Sequence, residues 1–233
     1  MPSDVTLEVG SMNDGITGRS FEASESARGW RVVGDGASVF YATPSLAVSV
    51  ELVRAIGEIH GVEAHLPDID VRPGGVTVRL VTVAEDWYGM SQRDVEIARQ
   101  VSAAAEGLGL VADPSALQSV LVIPGAPNPA QVMPFWQAAL GYVPRPDSPD
   151  EDLVDPRGRG PALWFEAMEE PRPGGTGAVH VAVWVPAEQA EARVAAALAA
   201  GGRIVRDTFA PSWWTLADAA GNEVDVSSLT GRE

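Results

Sequence analysis

A polar corner and the helix start that follows it hold the residues best suited to proton transfer. The corner, residues 65–68, reads His-Leu-Pro-Asp, and Asp94 ends the segment 91–94, which resembles a capping box with Asp in place of the usual Glu. An imidazole has an ordinary pKa of about 6.5, so it takes up and releases protons near neutral pH. We therefore select His65, Asp68 and Asp94 as candidate catalytic residues.

Two of these residues also have structural interpretations, which the sequence leaves open. His65 could be a hydrogen-bonded residue at the corner between a helix and a strand. Asp68 could supply a polar group to a site, together with Asp70, or it could simply face water at a strand edge, where charged side chains are common.

Aromatic side chains in both halves of the chain could bind a flat ligand. The candidate substrate-binding residues are Trp87, Tyr88, Trp164, Trp184, Trp213 and Trp214. Aromatic rings stack on planar groups, and a predicted loop at positions 87–88 offers such a surface. The same residues could instead plug a cleft or form an interface, and tryptophans on strands usually fill a core.

Composition excludes several kinds of chemistry. All 16 basic residues are Arg, which removes Schiff-base and P-loop lysines, and the chain has no Cys, which removes thiolate catalysis and thiolate metal sites. The net charge of -16 works against binding a phosphate backbone. No stretch approaches the roughly 20 apolar residues of a membrane helix, and residues 1–15 lack the basic and apolar regions of a signal peptide. We expect a cytoplasmic protein that binds a small molecule, without a nucleic-acid or membrane partner.

Hydrophobic periodicity predicts an α+β module around the first candidate residues. Hairpins are predicted at 30–42 and 68–80, where apolar residues flank Gly-rich turns. Helices are predicted at 45–60 and, behind the capping box, at 92–108. The apolar face expected for the first of these helices consists of Leu46, Val50, Val53, Ile56 and Ile59. This order of elements is typical of antiparallel strands covered by helices, and residues 1–18 are predicted to be a loose tail.

The second half of the chain twice shows one strand, one helix and further strands. After a linker at 113–117, strands are predicted at 118–123, 162–168, 179–185, 204–205, 213–216 and 223–226. Helices are predicted at 133–140, because Pro134 is disfavoured inside a helix, and at 187–200. The acidic segment 146–155 is predicted to be a solvated loop and 171–177 a linker. The repeated pattern indicates an internal repeat.

Three segments in the first half carry a family resemblance: His65-Leu66-Pro67-Asp68, the strand 76–82, and Gly89-Met90-Ser91 through Asp94 with Ile97-Ala98. On these segments, residues 19–112 resemble the pterin-4a-carbinolamine dehydratase family. The resemblance implies a lyase that removes water from a 4a-hydroxytetrahydropterin, with histidines as acid and base, and a homo-oligomer formed through helices. The family motif reads His-His-Pro, with a third His after a strand Thr, whereas Leu66 and Val83 occupy the second and third positions here. Neither side chain can transfer a proton, so the resemblance implies a degenerate motif that keeps His65.

Three segments in the second half carry a family resemblance: Phe135-Trp136 through Leu140-Gly141, the segment 180–185, and the segment 218–225 with Gly221-Asn222. On these segments, residues 118–229 resemble the glyoxalase-like branch of the vicinal oxygen chelate superfamily, which implies a paired βαβββ domain. The resemblance places His180 and Asp225 at metal-ligand positions, with Glu166 as a further candidate. The first-strand ligand position falls on Leu121, which cannot ligate, or on Gln118 if the loop 124–127 is an insertion.

A divalent metal at these positions is the less favoured of two interpretations. In the other, His180 is a buried polar residue in a metal-free cavity, and we assign no cofactor with certainty.

These patterns predict a diverged two-domain protein that acts on a small organic molecule. Its parts are a tail at 1–18, a dehydratase-like domain at 19–112, a linker at 113–117 and a glyoxalase-like domain at 118–229. Dehydratase-type lyase chemistry on 4a-hydroxytetrahydrobiopterin is the specific form of this prediction. One alternative is a non-catalytic protein that sequesters a planar ligand in an aromatic-lined glyoxalase-like cup. Another is an assembly module in which the first domain supplies the oligomer.

Overall fold

The chain divides into two units between Pro114 and Ser115, inside the predicted linker. The computed structural model describes residues 15–168, 179–217 and 223–231. The predicted linker at 171–177, the Gly221-Asn222 motif and most of the predicted tail lie outside these ranges. Within them, no helix is long and apolar enough to cross a membrane.

The first unit joins two antiparallel sheets to three helices. In chain order its elements are β1 (Gly15–Ile16), α1 (Gly18–Glu22), β2 (Arg31–Val33), β3 (Gly36–Ala42), α2 (Leu46–Gly57), β4 (Asp68–Arg72), β5 (Gly75–Leu80), β6 (Thr82–Ala84), β7 (Trp87–Ser91) and α3 (Gln92–Gly107). One sheet has the order β2-β3-β5-β4 and the other β1-β7-β6. Both predicted hairpins are confirmed, at β2–β3 and β4–β5.

Buried aromatic residues tie α3 to the rest of the first unit. Phe21 and Trp30 are fully buried and meet edge to face, with ring centroids 6.3 Å apart. The Trp30 indole N–H donates to Ser102 Oγ on α3 at 3.0 Å. Because α3 follows β7 directly, this anchor also fixes the first turn of α3, which contains Asp94.

Three predictions for the first unit are wrong. Helix α2 buries Ser49, Leu52 and Ile56, while Leu46 and Val50 are exposed. Apolar residues surround much of this helix, so periodicity could not select its buried face. The predicted loop at 87–88 is instead part of strand β7. The predicted tail ends earlier than residue 18, because β1 pairs with β7 and α1 begins at Gly18.

The second unit contains one mixed sheet and two helices. In chain order its elements are β8 (Ser119–Ala126), α4 (Pro129–Leu140), β9 (Val143–Arg145), β10 (Ser148–Val154), β11 (Ala162–Trp164), β12 (Glu166–Ala167), β13 (Val179–Trp184), α5 (Ala187–Ala199), β14 (Arg203–Arg206), β15 (Trp213–Ala217) and β16 (Glu223–Ser227). The sheet order is β14-β15-β16-β13-β8-β11-β10-β9, and β12 also pairs with β8. Each half contributes its strands in the same spatial order, so the predicted paired βαβββ arrangement is confirmed.

Two predictions for the second unit are wrong. Helix α4 begins at Pro129 rather than near residue 133, because proline is favoured at a first helical position and this start outweighs the cost of Pro134 inside the helix. The acidic segment is strand β10 rather than a loop. Its end, Asp152 to Val154, is buried, and apolar burial there outweighs the low strand propensity of the acidic residues.

Both helices of the second unit pack on the same face of the sheet. Helix α4 covers a cluster of Met133, Leu153, Leu163 and Phe165. Helix α5 covers a cluster of Val185, Ala190, Val194, Leu216 and Val226. Strand side chains alternate between faces, so the neighbours of these residues point to the other side. We call that side the His180 face, after a residue that lies on it.

Candidate functional site

His65 and Asp94 form a close pair in the first unit. His65 follows the 3-10 helix Val62–Ala64, and its backbone N–H donates to the carbonyl oxygen of Val62 at 2.8 Å. Asp94 lies in the first turn of α3, where the predicted capping box with Ser91 is confirmed. His65 Nε2 lies 2.5 Å from Asp94 Oδ1. The carboxylate is fully buried, while 13 % of the histidine side chain is exposed.

The second carboxylate oxygen of Asp94 accepts three further hydrogen bonds. They come from the Ser91 backbone N–H at 2.7 Å, the Ser91 hydroxyl at 2.9 Å and the Thr82 hydroxyl at 2.6 Å. Burial alone would raise the pKa of Asp94, but hydrogen bonds from His65, Thr82 and the Ser91 backbone outweigh burial and lower it. Asp94 is therefore ionised at neutral pH.

The ionised carboxylate sets the tautomer of His65. Asp94 has no proton to give, so the short contact requires His65 Nε2 to be the donor. In the neutral ring the lone pair then lies on Nδ1, which becomes the proton acceptor. When Nδ1 takes up a proton, Asp94 stabilises the imidazolium. The pair thus has the organisation of a general base oriented by a carboxylate.

Asp68 does not join this pair. It lies exposed on β4, and its carboxylate contacts Arg79 Nη1 at 3.1 Å. Arg79 also hydrogen-bonds the hydroxyl of Tyr88, on β7. The structural interpretation of Asp68 as a strand residue facing water therefore describes its position. Among the three candidate catalytic residues, the structure brings together His65 and Asp94.

The two degenerate motif positions are both on the surface. Leu66 is 67 % exposed and Val83 is 54 % exposed. Thr82 points toward Asp94, so the alternation of β6 directs Val83 to the opposite side. Large apolar side chains are therefore presented to solvent beside the residues that hold the proton-transferring pair.

Trp87 packs over glycines on two neighbouring strands. A Cβ atom at Gly15 would lie 2.9 Å from its ring and one at Gly89 3.2 Å, so both glycines allow the close approach of the indole. Its Nε1 is buried and has no hydrogen-bond partner among the residues that the structure describes. Gly89 pairs with Thr82, which places the indole on the strand face next to the Asp94 network.

Replacing Trp30 or Trp87 with Phe should distinguish an indole N–H that is hydrogen-bonded from one that is not. Trp30→Phe should lower the free energy of unfolding by about 2 kcal/mol, because it breaks the bond to Ser102 and leaves a small cavity. Trp87→Phe should change it by less than about 1 kcal/mol, since removing an unpaired N–H offsets the lost contacts. Urea unfolding measures both, and equal losses would contradict the assignment of the Trp87 N–H as unpaired.

A second histidine–aspartate pair lies on the His180 face of the second unit. His180, on β13, is buried and pairs with Ile123 of β8, while Asp225, on β16, pairs with Thr215 of β15. His180 Nε2 lies 3.3 Å from Asp225 Oδ2, and the Thr215 hydroxyl donates to Asp225 Oδ1 at 2.6 Å. Burial raises the pKa of Asp225, but hydrogen bonds from His180 and Thr215, with the nearby charge of Arg206, lower it overall.

The predicted metal ligands are not gathered into one site. Glu166 lies opposite Gly125 of β8, two residues along that strand from Ile123, which faces His180 across the other edge. Glu166 and His180 therefore lie on strands at opposite edges of β8 and at different positions along it. Within the described ranges, no three His, Asp or Glu side chains are close enough to hold a metal ion.

The first-strand position does not supply a metal ligand either. Leu121 pairs with Ala182 of β13. Gln118 precedes β8, and its side-chain oxygen accepts a hydrogen bond from Arg193 of α5 at 3.3 Å.

Strand register divides the four tryptophans on strands of the second unit between the two faces of the sheet. Trp184 and Trp213 both pair with Ser227, and this register places them on the His180 face. Trp164 lies two residues after Ala162, which pairs with Leu121, so Trp164 is on the His180 face as well. Trp164 is 38 % exposed. Trp214 lies on the other face, packed against the cluster under α5. Three of the four predicted ligand-binding tryptophans thus share the face of His180 and Asp225.

Sequence reasoning missed several residues at these sites. Thr82 and Thr215 each donate a hydrogen bond to a buried carboxylate. Hydrophobic periodicity could not show that Thr82 lies near the start of α3 or that Thr215 pairs with Asp225. Phe209 stacks on Trp213, with ring centroids 4.2 Å apart and planes inclined by 14°. The Arg206 guanidinium lies 5.5 Å from the centre of the Phe209 ring. The spacing Arg-x-x-Phe-x-x-x-Trp, between two predicted strands, was the available signal.

Comparison with known proteins assigns the two units to two families. Residues 17–104 match the family described as pterin 4 alpha carbinolamine dehydratase, and residues 120–227 match the one described as glyoxalase-like domain. A protein of Herpetosiphon aurantiacus named "Putative pterin-4-alpha-carbinolamine dehydratase" is 34 % identical over 77 residues, which cover 33 % of this chain and 78 % of that protein.

A solved structure also aligns with part of the chain. It is titled "The crystal structure of NAD-dependent benzaldehyde dehydrogenase from Legionella pneumophila" and covers 47 % of this chain and 97 % of its own. The identity is 20 % and the TM-score 0.34, and a likeness at this level carries no inference. The families and the relative agree with the two units of the fold. The chain belongs to the pterin-4a-carbinolamine dehydratase family through its first unit and carries a glyoxalase-like domain in its second.

Proposed function

We propose that the first unit catalyses dehydratase-type lyase chemistry on a 4a-hydroxytetrahydropterin such as 4a-hydroxytetrahydrobiopterin, with His65 as its one proton-transferring side chain. The contact between His65 Nε2 and the buried carboxylate of Asp94 carries this proposal. It fixes the ring, leaves Nδ1 as the base and stabilises the protonated ring. Membership of the dehydratase family supplies the substrate class.

One imidazole can serve both halves of a dehydration in sequence. His65 Nδ1 removes a proton from the ring atom next to the carbinol carbon, and the electron pair of that bond forms the new double bond. The carbon–oxygen bond breaks, and the departing hydroxide takes the proton back from the imidazolium as water. Acid–base assistance of this kind contributes roughly 100-fold to 10,000-fold. With Leu66 and Val83 at the other motif positions, we expect the lower end of this range.

The test compares quinonoid dihydropterin formation by the wild type, His65→Gln and His60→Gln. His60 is an exposed histidine five positions earlier in the chain and provides the matched control. We expect the wild type to exceed the uncatalysed rate, His65→Gln to lose at least about tenfold and His60→Gln to match the wild type. A wild-type rate equal to the uncatalysed one, or equal rates in both variants, would overturn the proposal.

A second candidate function is the binding of a planar ligand on the His180 face. It is favoured by the placement of Trp164, Trp184 and Trp213 on one face with the His180–Asp225 pair. Titration with 2-naphthamide, a neutral planar probe, tests it. We expect saturable binding that Trp213→Leu weakens, and a lack of binding would remove this function.

Location and assembly also remain proposals. A cytoplasmic protein is suggested by a chain without cysteine, and a homo-oligomer is implied by the dehydratase resemblance. Gel filtration with light scattering measures the oligomer, and a monomer at micromolar concentration would overturn that part.

A further inference from the structure

Arg206, Phe209 and Trp213 form a stack at the β14–β15 edge of the His180 face, which we call the Arg206 cluster. The Phe209 ring lies nearly parallel to Trp213, with centroids 4.2 Å apart, and the Arg206 guanidinium is 5.5 Å from the Phe209 centroid. Phe209 is 45 % exposed. A large aromatic ring that remains nearly half exposed while stacked on another offers apolar surface to a ligand.

Arg206 stands next to the buried His180–Asp225 pair. It pairs with Thr215 on β15, the residue whose hydroxyl donates to Asp225. Asp225 already accepts hydrogen bonds from Thr215 and His180, and in the described part of the chain no salt bridge joins Arg206 to a carboxylate. The guanidinium has five N–H donors in a planar fork that matches a carboxylate. Its charge acts on nearby Asp225, but no described carboxylate forms a salt bridge with its N–H donors.

Because the chain is strongly negative, an anionic ligand needs direct contact with a positively charged side chain. The chain has a net charge of -16, which repels anions at long range. Salt at physiological strength screens such repulsion beyond about 8 Å, whereas a contact pair within the cluster is screened much less. An anion can therefore bind where a guanidinium meets it directly, and Arg206 places one beside two stacked rings.

We propose that the Arg206 cluster binds planar aromatic carboxylates, with the carboxylate on Arg206 and the ring against Phe209 and Trp213. This inference rests on the planar-ligand role of the His180 face and gives that role a ligand class. The exposed part of Phe209, which is 45 % exposed beside Trp213, supplies apolar contact to a flat ring. Arg206 supplies the preference for an anionic substituent over a neutral one.

The experiment titrates the full chain with 2-naphthoate and with its neutral isostere 2-naphthamide, by isothermal calorimetry. The variants are Arg206→Gln and the matched control Arg203→Gln, which removes another exposed arginine of the same strand. We expect the wild type to bind 2-naphthoate about fivefold more tightly than 2-naphthamide. Arg206→Gln should abolish this preference and keep the affinity for the amide, while Arg203→Gln should preserve both affinities.

A second variant, Phe209→Leu, tests the stacking surface and should weaken both probes alike. Equal affinity of the wild type for the two probes, or equal effects of Arg206→Gln and Arg203→Gln, would overturn the ligand class while leaving the planar-ligand role intact. Failure of both probes to bind would overturn that role as well. Unchanged thermal unfolding midpoints show that the variants are folded, so each result is decisive.

Discussion

Introducing histidine at both degenerate motif positions, by Leu66→His together with Val83→His, should raise the rate of hydroxytetrahydropterin dehydration by about 100-fold. Both side chains are exposed, so the substitutions should change the free energy of unfolding by less than about 0.5 kcal/mol each. They add acid and base groups at the positions where the dehydratase family motif has them. The rate of quinonoid dihydropterin formation measures the gain.

The control for this gain is a histidine placed elsewhere on the same unit. Val50→His also replaces an exposed valine, on α2, and should leave the rate unchanged. Adding His65→Gln to the double variant should remove most of the gain, because the proposed mechanism needs the Asp94-oriented ring. A folded double variant without a gain, or one whose gain survives loss of His65, would contradict the proposed role of this site.

Asp94→Asn should lower the free energy of unfolding by about 3 kcal/mol and abolish most of the activity proposed for His65. The buried carboxylate accepts bonds from His65, Thr82 and Ser91. An amide NH₂ cannot accept, so at least one donor would face another donor in a buried space. Urea unfolding and kcat/KM measure the two effects. Asp68→Asn, at an exposed ion pair, should cost less than about 1 kcal/mol, and equal losses in both variants would contradict this account.

The lowered pKa of Asp94 also predicts how stability depends on pH. A carboxyl group with a depressed pKa in the folded state stabilises the fold above its unfolded pKa of about 3.9, because the unfolded state binds more protons as pH falls. This contribution is lost as pH falls through the folded pKa. The wild type should therefore lose stability steeply below about pH 4, and Asp94→Asn should show a shallower loss there. Asp225, whose pKa is also lowered, should still make the stability of Asp94→Asn fall with decreasing pH, though less steeply.

The fold could be predicted where side-chain pattern and turn chemistry agree. Two short apolar segments joined by a Gly-Asp-Gly turn predicted the β2–β3 hairpin, and the capping box at Ser91 and Asp94 predicted the start of α3. The prediction failed where burial overrides local preference. Asp152 is buried in β10 although its acidic neighbours favour a loop, and α2 carries apolar residues on so many sides that its buried face was ambiguous.

The candidate sites could be predicted in part for a related reason. His65 at a corner and Asp94 at a helix start could be identified from the sequence, and the fold places His65 Nε2 2.5 Å from Asp94 Oδ1. Strand register was not visible. Two residues along β8 separate the positions that pair with His180 and Glu166, and alternation on β15 places Trp214 under α5 while Trp213 stays on the His180 face. Register depends on pairing between distant segments, so no local pattern contains it.

The most direct test of the central claim is the tautomer of His65. The chain has three histidines, so a long-range proton–nitrogen correlation spectrum of histidine-labelled protein resolves each ring, and His60→Gln and His65→Gln assign them. At a pH where the ring is neutral, we predict that His65 carries its proton on Nε2, with the lone pair on Nδ1, and that Asp94→Asn removes this preference. A proton on Nδ1, or a spectrum unchanged by Asp94→Asn, would contradict the claim that Asp94 holds His65 as a base.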